Sequence, residues 1–233
     1  MSRQLRSAVK CVPNYKLILA TDGLIGKTPT SKNIEVISVE QGSFEEVEDA
    51  LEEIINTNKH LKPAVLMSAG NTNISLSYWG INPGLIRGRS REVRNQMVVS
   101  LKEKMLNLQT KVKKLGGFII YTSLIPRPGE QQLWTSDSAT VAYSKKVMHG
   151  VFSETNNMIF KINDDEKNST PNIKTFVTAT GKAAHSSIKT GLFRSPKKIV
   201  PKTTEQNRMM KCCCKALEYA AAKYNKTETP RTA

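Results

Sequence analysis

Tyr15-Lys16-Leu17-Ile18-Leu19-Ala20-Thr21-Asp22-Gly23-Leu24-Ile25 is the stretch on which the fold turns. Residues 15–20 form a short apolar run of strand length, and Asp22-Gly23 is a turn pair that stops it. The segment therefore reads as a β-strand whose carboxyl end opens into a turn. The downstream residues decide whether that end belongs to a meander or to a parallel sheet.

Outward from this strand the chain alternates. Residues 34–39 alternate apolar and polar as a second strand. Over residues 43–58, Phe44, Val47, Leu51, Ile54 and Ile55 recur at helical spacing; Ser43 stands at the N-cap and Glu46 three residues later completes a capping box. Residues 64–67 form a third strand, and after a loop rich in Gly, Asn and Pro a long helix covers 90–115 until Gly116-Gly117 stops it. Residues 118–122 form a fourth strand ended by Pro126. A third helix is predicted over 135–159, starting near Ser136 or Asp137, with a short strand at 160–162 and a polar, turn-rich segment at 164–172. The last helix covers 204–224. Residues 1–13 and 225–233 read as a flexible amino-terminal segment and a disordered tail around one domain at 14–224. Strands joined through helices pair in parallel with right-handed crossovers, so the expected architecture is a three-layer α/β/α sandwich with a mainly parallel sheet. In such sheets function gathers at the carboxyl ends of the strands. Asp22-Gly23, Gly42, the 70–73 turn and residues 123–126 all fall there.

Composition fits a single globular domain. The chain has 233 residues, 39% hydrophobic and 24% charged, enough for one substantial core. No run approaches the roughly 20 apolar residues that span a bilayer, and residues 1–6 lack an apolar signal core. A soluble, cytoplasmic protein with no membrane partner is expected. Cys11 and the triplet Cys212-Cys213-Cys214 have neither metal-site spacing nor a disulfide framework. They read as reduced thiols, and neither a metal nor a cofactor is implied.

The net charge is +15, and it is unevenly placed. Through residue 60 there are 7 Lys/Arg against 9 Asp/Glu, and from residue 61 onward 28 against 11. Two basic runs stand out. One holds Arg87, Arg89, Arg91 and Arg94; the other, from 182 to 215, holds Lys182, Lys189, Arg194, Lys197, Lys198, Lys202, Arg208, Lys211 and Lys215 with only Glu205 opposing. Either run alone is compatible with a solvated lysine-rich surface. Two runs flanking the strand-end blocks favour a polyanion, because each neutralised phosphate releases condensed counterions.

Four blocks, Ala20-Thr-Asp-Gly-Leu-Ile25, Gly42-Ser-Phe44, Ser68-Ala-Gly-Asn-Thr-Asn-Ile74 and Thr190-Gly-Leu-Phe193, come in the order of an SGNH (GDSL-like) hydrolase, over roughly residues 14–224. The resemblance implies the same flavodoxin-like three-layer fold. In that family the first block carries the nucleophilic Ser and the last an Asp and, three residues on, the His base. The matching positions here are Gly23, Thr190 and Phe193. The family's oxyanion donors match Gly42 and, in a shifted third block, Asn71 or Asn73. Loss of nucleophile and base together with a basic surface resembles the carboxyl-terminal domain of the Oskar family. That resemblance implies a catalytically inactive module that binds messenger RNA in single-stranded regions and associates with ribonucleoprotein-granule proteins in germ plasm. The esterase modules of some retrotransposon first open reading frames are a second resemblance, but they keep Ser and His.

A replacement catalyst would need Ser or Cys beside a His. His60 is expected at the end of the first helix and His149 on the third, while only His185, in a loop, lies near the late block. A solvated or phosphate-contacting loop histidine is the plainer reading of His185, and a turn-capping carboxylate that of Asp22. Tyr78-Trp79 and Trp134 fall near the carboxyl edge, where exposed rings stack on bases and covered rings pack under loops. The residues leave three functions open: an RNA-binding pseudo-hydrolase, a scaffold for acidic protein partners, and a divergent esterase- or lipase-type hydrolase.

Overall fold

The computed structural model describes residues 15–82, 88–125, 137–173 and 200–228. In chain order these form β1 (Tyr15–Thr21), β2 (Ile34–Ser38), α1 (Phe44–Thr57), β3 (Lys62–Ser68), α2 (Ser90–Lys114), β4 (Phe118–Tyr121), α3 (Ser138–Asp165) and α4 (Thr203–Glu228). The strands make one parallel sheet in the order β2-β1-β3-β4. Thr21 at the end of β1 lies opposite both Ser38 and Ser68. The α/β architecture and parallel sheet expected from the sequence are present.

Alternation along each strand divides the core in two. Ile18, Ala20, Val65, Met67, Ile119 and Tyr121 face the side covered by α1, α2 and α3. Leu17, Leu19, Ala64, Leu66, Phe118 and Ile120 face α4, which contributes Met209, Met210, Cys213, Cys214 and Leu217. A strand buried on both faces needs apolar residues at nearly every position, which is why 15–20 is a run without strict alternation. Two of the three thiols in the cysteine triplet are core residues, and all three are free. Burial raises the Cys213 thiol well above its usual value, aided by its two neighbouring thiols, so at neutral pH it stays protonated.

The helix ends match their sequence signals. Ser43 accepts from the Glu46 N–H at 3.3 Å while Glu46 accepts from the Ser43 N–H at 2.7 Å, the capping box read from residues 43–46. Asp137 caps α3 by accepting from the Thr140 N–H at 2.8 Å. At Gly117 an added Cβ would lie 2.1 Å from the Pro63 carbonyl oxygen, so only glycine lets the chain turn from α2 onto the sheet beside β3.

Two boundaries depart from expectation. Residues 160–162, read as a strand, belong to α3: Ile159 and Ile162 are three apart and both buried in the core on the α2 side of the sheet. Phe160-Lys161-Ile162 alternates apolar, charged, apolar, and three residues are too few to fix a period. Side chains of α3 meet the backbone at the end of β4. Asn163 accepts from the Tyr121 N–H at 3.0 Å and donates to the Tyr121 carbonyl at 2.7 Å. One helical repeat of seven earlier, Asn156 accepts from the Leu124 N–H at 2.6 Å. These amides pair backbone groups of Tyr121 and Leu124 that no strand among the described residues reaches. The second departure is at the carboxyl end, where residues 225–228, expected as tail, continue α4. Among the described residues no helix is long and apolar enough to cross a membrane.

Candidate functional site

The carboxyl edge of the sheet is closed by a buried polar layer. Asp22 is fully buried; its N–H donates to the Ser68 carbonyl at 3.1 Å, and its carboxylate accepts from the Leu24 N–H at 3.3 Å. It holds the turn after β1, the capping role read for it from sequence. Gly23 comes next, with φ of +82°. Its N–H donates to Thr21 Oγ1 at 3.1 Å, and its carbonyl accepts from Gln206 Nε2 on α4 at 3.2 Å. A Cβ there would stand 3.3 Å from Glu40 Cα and 3.6 Å from Ser38 Oγ. The position matching the family's nucleophile has no side chain, and its backbone disfavours one.

The three candidate oxyanion donors are engaged within the fold. The Gly42 N–H donates to the Val39 carbonyl at 3.1 Å, and an added Cβ would meet Val39 Cγ1 at 2.6 Å, so this glycine serves a tight turn. Asn71 donates from Nδ2 to Asp22 Oδ2 at 3.0 Å and accepts from the Ile125 N–H at 3.0 Å. Asn73 accepts from the Phe44 N–H at 2.6 Å, capping α1, and donates to Glu45 Oε2 at 2.7 Å. Asn71 thus ties β1 to the chain after β4, and Asn73 ties the turn after β3 to α1. An oxyanion hole needs donors aimed at one external point. These asparagine amides aim at Asp22 and Glu45.

A feature not read from the sequence lies on the α4 side of the same edge. Thr21, Ser38 and Ser68 are in register across β2, β1 and β3, and Thr122, whose N–H donates to the Met67 carbonyl at 3.0 Å, extends the row past β4. Alternation puts all four on the face of Leu19, Val36, Leu66 and Ile120. The hydroxyls of Ser38, Ser68 and Thr122 are buried without a hydrogen-bond partner among the described residues. The signal was present: on this face of each strand the apolar alternation ends in Ser or Thr.

Beyond Asn73 the loop is pinned by Glu45. Its carboxylate accepts from Lys104 Nζ, from Asn73, and from Tyr78 Oη at 2.8 Å. Burial alone would push the Glu45 carboxyl up, but the bonds from Lys104, Asn73, its own backbone and Tyr78 outweigh it and bring the pKa down to about 2. Tyr78 is exposed yet committed: Lys104 lies 5.8 Å over its ring, and it packs edge-on against Trp79 at 5.5 Å. Trp79 donates from Nε1 to the Asn73 carbonyl at 2.6 Å. The ring pair is therefore fixed in place and partly covered. Trp134 lies outside the described residues.

The basic candidates divide. Arg89 forks onto Glu92 at 2.7 and 3.0 Å, Arg94 donates to Glu154 of α3 at 2.9 Å, and Arg208 holds the buried Glu205 at 3.2 Å. A Cβ on Gly150 would approach the Arg94 guanidinium to 3.2 Å, so Arg94 packs across the α2–α3 contact as a structural staple, unlike the exposed phosphate ligand its run suggests. Arg91 and Lys202 are exposed and form no ion pair among the described residues. Arg87, Lys182, His185, Lys189, Thr190, Phe193, Arg194, Lys197 and Lys198 lie outside the described residues. His60 sits in the turn after α1, and His149 lies on α3.

No family model and no curated protein matches the sequence. Among solved structures, a GDSL-like lipase from Bacteroides thetaiotaomicron superposes with a TM-score of 0.58 at 13% identity, covering 89% of each chain. A candidate acylhydrolase from Bacteroides fragilis superposes with a TM-score of 0.55 at 9% identity, covering 89% of this chain and 88% of that one. At such identity the likeness is one of fold: this chain has the fold of GDSL-like hydrolases.

Proposed function

We propose that this chain is a GDSL-like fold that carries out no acyl transfer and binds single-stranded regions of messenger RNA through its basic surface. The observation that carries the reading is Gly23, a left-handed glycine crowded by Glu40 and Ser38 at the position where the fold's hydrolases need a nucleophile. The engaged donors at Gly42, Asn71 and Asn73 support it from the oxyanion side. Charge supports the RNA half of the reading. The net of +15 is an excess of Lys and Arg that the chain's own carboxylates cannot match. By its resemblance to the Oskar carboxyl-terminal domain, the same reading includes association with cytoplasmic ribonucleoprotein-granule proteins.

One observation favours a second reading: two solved structures that share the fold are a lipase and a candidate acylhydrolase. A hydrolase here would have to draw nucleophile and base from elsewhere, with His185 as the base. Crosslinking the full chain to RNA in cell extract separates the two. Adducts mapping to residues 87–94 and 182–215 are expected, and an extract without RNA adducts would overturn the RNA reading.

A further inference from the structure

A cleft of about 270 Å³ opens between the turn at residues 79–82 and the first two turns of α2. We propose that it receives one unstacked base of single-stranded RNA. The proposal rests on the RNA-binding reading above and gives it a place.

The lining is mixed in a way that suits a flat heteroaromatic ring. Trp79, Ile81 and the buried Val93 supply apolar surface, while the amides of Asn82 and Gln96 and the guanidinium of Arg89 supply polar groups. One of these walls is held still: Trp79 is fixed by its bond to the Asn73 carbonyl, which is anchored in turn through Asn73 to α1, while Arg89 forks onto Glu92 at the exposed rim. A pre-positioned indole offers stacking or edge contact without the entropy of ordering it. The volume lies just below the roughly 300–1,000 Å³ of sites that take whole drug-sized ligands, which fits a single ring system. The Gln96 amide, which both donates and accepts, matches the polar edge of a base.

The surroundings favour a base that belongs to a chain of phosphates. α2 begins at the cleft, its N-cap Arg89 makes no side-chain capping bond, and the positive helix end favours an anion. Arg91, two residues on, is exposed and without an ion pair among the described residues. A base in the cleft would leave its phosphate near these groups. Sequence selectivity would stay weak, because stacking tolerates every base.

The test uses the full chain carrying Trp134→Phe, which leaves Trp79 as the sole tryptophan. Its fluorescence is titrated with octamers of uridine and of adenosine, with an abasic octamer of equal phosphate number, and with adenosine monophosphate. The octamers with bases should change Trp79 emission and bind roughly tenfold tighter than the abasic one, the scale of one stacked base. Gln96→Phe, an exposed helical position whose larger side chain fills the cleft, should remove that difference and leave abasic binding unchanged, with the circular dichroism spectrum intact. Equal binding of abasic and base-bearing octamers with unchanged emission would overturn the cleft while leaving RNA binding standing. Failure of every octamer to bind would overturn the RNA reading itself. Adenosine monophosphate binding as tightly as the octamer would assign the cleft to free nucleotides and overturn its assignment to RNA.

Discussion

Asn71 and Asp22, 49 residues apart in sequence, meet at 3.0 Å in the buried layer at the carboxyl edge of the sheet. The same amide accepts from the Ile125 N–H, so one side chain joins the ends of β1 and β3 to the chain leaving β4. The resemblance to SGNH hydrolases makes this amide a candidate oxyanion donor. Here its contacts are internal, and the geometry is that of a structural tie.

Asn71→Ala should therefore destabilise the fold. It removes a hydrogen bond to a buried carboxylate and leaves the Ile125 N–H unpaired, at a cost of about 2–3 kcal/mol. Urea unfolding monitored by circular dichroism measures it. A loss below about 0.5 kcal/mol, typical of ordinary surface positions, would mean that the tie contributes little.

Short acyl esters should not be turned over. Gly23→Ser should not restore activity either, because the serine would sit at a φ of +82° beside Glu40 with no oxyanion donor aimed at it. Initial rates on p-nitrophenyl acetate decide the matter. Turnover above background that disappears with His185→Ala would show a second catalytic centre and contradict the account.

Glu45 makes stability pH-dependent. Its folded pKa, about 2, lies below the ordinary carboxylate value of 4.5, so its contribution is present above about pH 4.5 and is lost as pH falls towards 2. The carboxylate is 38% exposed, and solvent screening reduces the effect to roughly 1 kcal/mol. Glu45→Gln should unfold more easily than the parent at pH 7 and converge on it near pH 2. A constant difference across that range would show that the Glu45 charge is not what matters.

The parallel α/β fold was legible because its signals are local: the capping box at residues 43–46, the glycine stop after α2, and apolar runs of strand length. The 160–162 segment misled because apolar, charged, apolar over three residues fits either period, and only the burial of Ile159 and Ile162, three apart on α3, settles it as helix. That position 23 carries no side chain was legible in the residue itself; its left-handed backbone was not. The fate of the oxyanion donors was not, since the partners of Asn71 and Asn73 lie 49 and 28–29 residues away. Charge was read as a run, but pairing is set across helices: Arg94 meets Glu154 on another element, while Arg91, three residues earlier, meets no acid among the described residues. The hydroxyl row had a signal at the end of each strand, and it becomes one feature only when the register aligns the four ends.

The central claim is tested most directly by the salt dependence of binding to single-stranded RNA, measured on the parent chain and on two charge-reversed forms. One carries Arg194→Glu, Lys197→Glu and Lys198→Glu; the other carries Arg91→Glu and Lys202→Glu, leaving Arg94 in place because its pair with Glu154 holds α2 to α3. Affinity should fall by roughly 0.7 log units per contacted phosphate for each tenfold rise in salt, with little dependence on sequence. Both reversals should weaken binding, flatten that slope and leave unfolding unchanged. Binding that ignores salt, or that survives both reversals undiminished, would contradict the account.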